Sequence, residues 1–163
     1  MKKWFLPLTG VALLVALDQI VKLQVLKSLM PYGPVSLISG VLELSYVENR
    51  GAAFGILQGR QWFFLIITVV VLAAVLWIYP RIPDGRRYLP LKVLAVFIMA
   101  GALGNMIDRL CRGYVIDYIY FKLIHFPVFN LADIYVTCSA FLLAFLLLFY
   151  YKEEEIEEIF RKK

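Results

Sequence analysis

Four stretches of this chain are apolar for long enough to cross a bilayer, and most of its polar residues crowd into the joints between them. Residues 4–24, 61–79, 89–107 and 134–151 each hold close to the twenty or so apolar residues that a spanning helix needs. The first follows Met1-Lys2-Lys3 and has the outline of a secretory signal. It contains no small-residue cleavage site, and it continues through Asp18, Gln19 and Lys22 at helical spacing, so it is expected to be retained as a span. The second, QWFFLIITVVVLAAVLWIY, is uncharged with aromatic ends suited to the membrane interface. In the third, Gly101 and Gly104 stand three residues apart, the spacing of small residues that lets helices approach closely.

The joints differ in kind. Pro and Gly punctuate residues 25–61, where the β-type runs Val35–Ile38 and Val41–Val47 flank a Ser39-Gly40 turn signal. This predicts a small β-hairpin, an outer cradle over residues 35–61 on the membrane surface. It is followed by Asn49-Arg50-Gly51-Ala52-Ala53-Phe54-Gly55, polar and then small enough for another backbone to come close. A short basic turn, Pro80–Arg87, joins the second and third spans. Residues 108–133 form a long outer loop. The last residues, 152–163, carry i,i+4 pairs of Glu157 with Arg161 and Glu158 with Lys162 beside an Ile156, Ile159, Phe160 stripe. They are expected to lie as a solvated helix along the membrane.

Composition supports this layout. Of 163 residues, 62% are hydrophobic and 18% charged, against about 45–50% and about 25% in soluble domains. The fold class is therefore an all-α integral membrane protein: one domain of four transmembrane helices with a small extracytoplasmic β-cradle. The net charge of +5 resides mostly at the ends of apolar runs, so it marks lipid headgroups and topology and not nucleic acid. Lys and Arg are more numerous on the side holding both termini and the basic turn than on the opposite side. This places the termini in the cytoplasm and the cradle and long loop outside. Cys111 and Cys138 give no disulfide framework, and the single His125 has no Cys/His cluster around it, so neither a metal nor another cofactor is expected.

The polar residues hardest to explain as solvated loop are Asp18, Asn49, Asn105, Asp108, Arg109, Asp117, Asn130 and Asp133, and all fall at one membrane level. Acidic groups at the edge of hydrocarbon are costly and mark function by default. Asp18 and Lys22, an i,i+4 pair, fit either a self-neutralising ion pair or a brace facing the bundle interior. The cluster itself fits a catalytic carboxylate pair, a structural polar network, or the pathway of a small transporter or proton-conducting bundle. A pathway would place acids at several depths, whereas here the span centres are apolar. Two carboxylates about 3–5 Å apart cannot both ionise readily, and such a pair supplies the base and the acid that peptide hydrolysis needs. A Cys111–His125 nucleophile lacks anything to orient the imidazole.

At these residues the sequence resembles lipoprotein signal peptidase, the signal peptidase II family of intramembrane aspartic proteases. Asp18-Gln-Ile-Val-Lys22 resembles its first motif, Asn49-Arg-Gly51-Ala-Ala-Phe54-Gly its second, and Gly101-Ala-Leu-Gly104-Asn105-Met-Ile-Asp108-Arg109 its third. Gly113-Tyr-Val115-Ile-Asp117-Tyr and Phe129-Asn130-Leu-Ala132-Asp133 resemble the two motifs that carry its catalytic pair. The resemblance implies that Asp117 and Asp133 are catalytic. It implies supporting roles for Asp18, Lys22, Asn49, Gly51, Gly101, Asn105, Asp108, Arg109, Asn130 and Ala132. The implied substrates are prolipoproteins cut before a diacylglyceryl-modified lipobox cysteine. The implied setting is the bacterial cytoplasmic membrane, with the enzyme a monomer among membrane lipids and its site near the outer face.

Overall fold

The computed structural model describes residues 2–51 and 59–161. Among the described residues, four helices are long and apolar enough to span a membrane: α1 (Lys2–Tyr32), α2 (Gln61–Ile78), α3 (Leu89–Arg112) and α4 (Leu131–Phe149). They alternate in direction, so the start of α1 lies at the end of the bundle where α2 finishes, with Trp4 and Tyr79 ring centroids 4.8 Å apart. The outward faces present Phe5, Leu13, Ile66, Val70, Phe141 and Phe145, as expected where lipid is the solvent.

The first helix does not stop near residue 24. It runs on to Tyr32 and ends where Gly33 adopts φ +85° and its N–H returns to the Leu29 carbonyl at 2.9 Å. A 31-residue helix is about 46 Å long, well beyond the roughly 30 Å hydrocarbon core. Its last turns therefore stand clear of the span, and Val25 and Leu29 are buried there beneath a sheet.

That sheet has three strands in the order β1-β2-β3: β1 (Val35–Ile38) and β2 (Leu42–Asn49) form the expected hairpin around Gly40 (φ +72°). The third strand, β3 (Val115–Phe121), comes from within the long loop and pairs antiparallel with β2, Val47 opposite Asp117 and Asn49 opposite Val115. The loop expected over 108–133 is thus mostly regular. Helix α3 occupies it to Arg112, β3 follows, and α4 begins at Leu131 and not at 134. The cradle residues 52–58, with Ala52, Ala53, Phe54 and Gly55 of the second motif, lie outside the described residues, as does Lys162.

Helix α5 (Glu153–Arg161) differs from the solvated extension expected. Glu157 and Arg161 pair at 2.7 Å as the spacing predicts. Ile159, however, is buried with Leu91, Leu94, Leu146 and Tyr151, so α5 closes the bundle at the end opposite the sheet.

Candidate active site

Asn130 caps helix α4, whose first three N–H groups, which no helical carbonyl can satisfy, are each taken by a side-chain oxygen. Leu131 N–H donates to the Tyr118 hydroxyl from β3 (3.3 Å), Ala132 N–H to Asp18 Oδ1 from α1 (3.2 Å), and Asp133 N–H to Asn130 Oδ1 (3.0 Å). Asp133 returns the last bond by accepting the Asn130 N–H at 3.1 Å, completing a capping box. Local sequence and two distant elements therefore hold the Asp133 backbone.

Asn130 ties that turn to β3. Its Oδ1 is committed to the Asp133 N–H, so its Nδ2 points the other way, to Asp117 Oδ1 at 2.6 Å. The second Asp117 oxygen accepts Asn49 Nδ2 from β2 at 2.8 Å, while Asn49 Oδ1 receives the buried Gly51 N–H at 2.9 Å. Asp133 Oδ1 accepts Asn105 Nδ2 from α3 at 2.7 Å. Each carboxylate thus has both oxygens held by N–H donors. Asp117 is 1% exposed, whereas Asp133 keeps partial access to the surface. Burial, and next the nearby negative charge of Asp133, push the Asp117 carboxyl up to about 7.

Beneath the pair lies a compact ion cluster. Lys22, Asp18 and Asp108 are 0% exposed, and the Lys22 ammonium is 2.9 Å from Asp18 Oδ2 and 2.9 Å from Asp108 Oδ2. Arg112, one turn on from Asp108, binds its Oδ1 at 2.7 Å and balances the second acid. Charges buried in this way are tolerable only when paired and saturated with hydrogen bonds. Asp108 Oδ2 also accepts the Ile116 N–H at 3.2 Å, fixing the strand one residue from Asp117. Of the two readings open for Asp18 and Lys22, the interior brace is the one observed: they pair with each other and also hold α3 and α4.

The remaining residues that the resemblance implies lie around this centre. Gly101 packs against α4, with a Cβ there reaching 2.4 Å from the Ala132 carbonyl, and Ala132 itself is fully buried. Arg109 holds its guanidinium 4.9 Å from the Phe64 ring centroid, and that guanidinium makes no hydrogen bond or ion pair among the described residues. Gln19, Arg112 and Tyr118 also belong to the cluster, beyond the residues that the resemblance implies. Gln19 Nε2 reaches Asp18, the Gly104 carbonyl and Asp108 at 3.2 Å each. Arg112 was detectable by its i,i+4 spacing from Asp108. Among the described residues the fully buried acids all lie at this one end of the bundle. A conduction pathway would instead spread its acids over several depths. His125 bonds the Tyr120 hydroxyl at 3.3 Å, and Cys111 and Cys138 are free.

Comparison with known proteins finds relatives over most of the chain. The family profile described as signal peptidase (SPase) II matches residues 10–149. The lipoprotein signal peptidase of Caldanaerobacter subterraneus subsp. tengcongensis is 44% identical over 140 residues, covering 85% of this chain and 93% of that protein. Its counterpart in Clostridioides difficile (strain 630) is 41% identical over 140 residues, covering 86% and 93% respectively. A solved bacterial membrane enzyme superposes with a TM-score of 0.76 at 34% identity, over 90% of this chain and 92% of that one.

Proposed function

From the premise that this chain belongs to the signal peptidase II family of membrane proteases, we propose that it removes signal peptides from prolipoproteins by aspartic hydrolysis, with Asp117 and Asp133 as the catalytic pair. The observation that carries this reading is Asn130, which holds both aspartates at once: its main chain and Oδ1 engage Asp133 while its Nδ2 engages Asp117. Two carboxylates so held, one with its proton retained to about pH 7, form an acid and a base at the bundle's end.

In the reaction the ionised member takes a proton from water as the oxygen attacks the scissile carbonyl carbon. The protonated member gives its proton to the carbonyl oxygen, producing a gem-diol. The first carboxyl then passes its proton to the amide nitrogen as the C–N bond breaks. A gem-diol hydroxyl returns a proton to the second, and the pair is restored. Arg109, with no competing partner among the described residues, is assigned to the substrate backbone or the developing charge around the pair. A signal peptide arrives as a helix in lipid with its backbone satisfied, so the scissile bond must be unwound first. We assign the sheet at the bundle's end to that task, as a clamp along which the unwound segment lies. The substrate is taken to carry a diacylglyceryl cysteine, the protein to be a monomer in the bacterial cytoplasmic membrane, and the site to face outward with both termini in the cytoplasm.

Purified wild type, Asp117→Asn and Asp133→Asn in detergent, offered a diacylglyceryl-modified prolipoprotein, test this directly. Cleavage by wild type alone, with the new N-terminus at the lipidated cysteine, is the expected result. Near-normal turnover by either variant would refute the pair.

A further inference from the structure

Asn105 offers Asp133 a hydrogen-bond donor, but nothing in an asparagine side chain dictates which end of its amide points where. Here the other end decides. Asn105 Oδ1 lies 2.9 Å from the Lys22 ammonium and 3.2 Å from Asn130 Nδ2, both of which can only donate. Flipping the amide would set an NH2 group against a buried cation and a second NH2. The amide oxygen must therefore face Lys22, and the NH2 must face Asp133 Oδ1, 2.7 Å away.

We propose that Lys22 is a positioning residue: its buried ammonium locks the Asn105 amide so that a donor is held on Asp133. The three contacts of Lys22, to Asp18, Asp108 and Asn105, use all three of its N–H bonds, leaving it no rotational freedom. The ammonium is thus fixed in direction as well as in place. The same lock extends to Asp117, because Asn130 Nδ2 is shared between Asn105 Oδ1 and Asp117 Oδ1. The donors on the two carboxylates leave each oxygen's remaining lone pair as the place for the catalytic proton. A disordered Asn105 would blur that location and slow the proton transfers without weakening substrate binding.

This proposal rests on the catalytic reading of Asp117 and Asp133, and the experiment separates the two. Steady-state cleavage of the diacylglyceryl prolipoprotein is measured for Lys22→Met, Asn105→Ala and the double variant, each checked for a cooperative thermal transition in detergent. Asn105→Ala and Lys22→Met should each lower kcat about tenfold to hundredfold, the scale of one charge-assisted hydrogen bond, with KM within about twofold. The double variant should lose no more than Asn105→Ala alone, because Lys22 acts through Asn105. Additive losses, or a Lys22→Met effect confined to KM, would overturn the proposal. If Lys22→Met does not fold, the cycle is run with Asp18→Asn added, which restores charge balance and keeps an acceptor for the Ala132 N–H. Unchanged kcat in that background likewise overturns it. Turnover by Asp117→Asn or Asp133→Asn would instead remove the catalytic reading beneath it.

Discussion

A carboxyl pushed up to about 7 has consequences for stability as well as catalysis, and at Asp117 both signs can be worked out. Its ordinary value is 3.8, so the folded state binds the proton more tightly than the unfolded chain does. The stabilisation this gives is fully present below about pH 4 and is lost as pH rises toward 7. Asp117→Asn removes that loss while disturbing the donors from Asn49 and Asn130 equally at every pH. The apparent Tm of the variant minus that of wild type should therefore become more positive from pH 4 to pH 8. A constant difference across that range would show that Asp117 is not held protonated. In the proposed mechanism the singly protonated pair persists up to about pH 7, so kcat should fall above it as the proton is lost. It should fall again in acid as the second carboxyl protonates. A flat profile from pH 4 to 9 would contradict a shared proton.

At the scale of elements, the site depends on how closely α3 approaches α1 and α4. A Cβ at Gly104 would lie 2.6 Å from Asp18 Oδ2, and one at Gly101 would lie 2.4 Å from the Ala132 carbonyl and 2.6 Å from Val136. Asp18 cannot swing aside, being held by Lys22 and the Ala132 N–H. Gly101→Ala and Gly104→Ala should each destabilise by about 1–3 kcal/mol through overpacking. They should also lower kcat by displacing the turn that carries Asp133, read as a depressed Tm with reduced turnover in the folded fraction. Full kcat in either variant would mean that α4 can retreat without moving the aspartate.

The same scale explains what could be read from the sequence. Acids and amides stand out against Phe, Tyr, Ile and Leu, so the candidate site residues are conspicuous in the sequence itself. Strand β3 was not, because Val115, Ile116, Asp117 and Tyr118 are all buried and show none of the alternation of a half-exposed strand. Its β-branched and aromatic run was the one available signal. The true end of α1 was hidden because Lys27, Ser28 and Pro31 look like the close of a span. The helix passes through them beyond the lipid to support the sheet. Tyr118 could not be assigned from sequence, since its hydroxyl caps a helix that starts 13 residues later.

Across the whole molecule, the buried polar network occupies one end of the bundle and the α5 cluster the other, with apolar helix between them. Ile159 is 3% exposed among Leu91, Leu94 and Leu146, and burying such a side chain contributes about 1.5–3 kcal/mol. The fork from Arg87 to Glu155, with both bonds at 2.9 Å, is largely solvated and adds little to that. Ending the chain after Lys152 should therefore lower Tm in detergent by several degrees. At a temperature where the shortened protein is still folded, kcat and KM should stay within about twofold of wild type. Among the described residues, none of the groups that hold Asp117 or Asp133 comes from α5, so α5 is expected to contribute stability alone. A selective fall in kcat in the folded, shortened protein would show instead that the two ends are coupled through α3 and α4, the helices whose opposite ends carry Asn105 and Asp133.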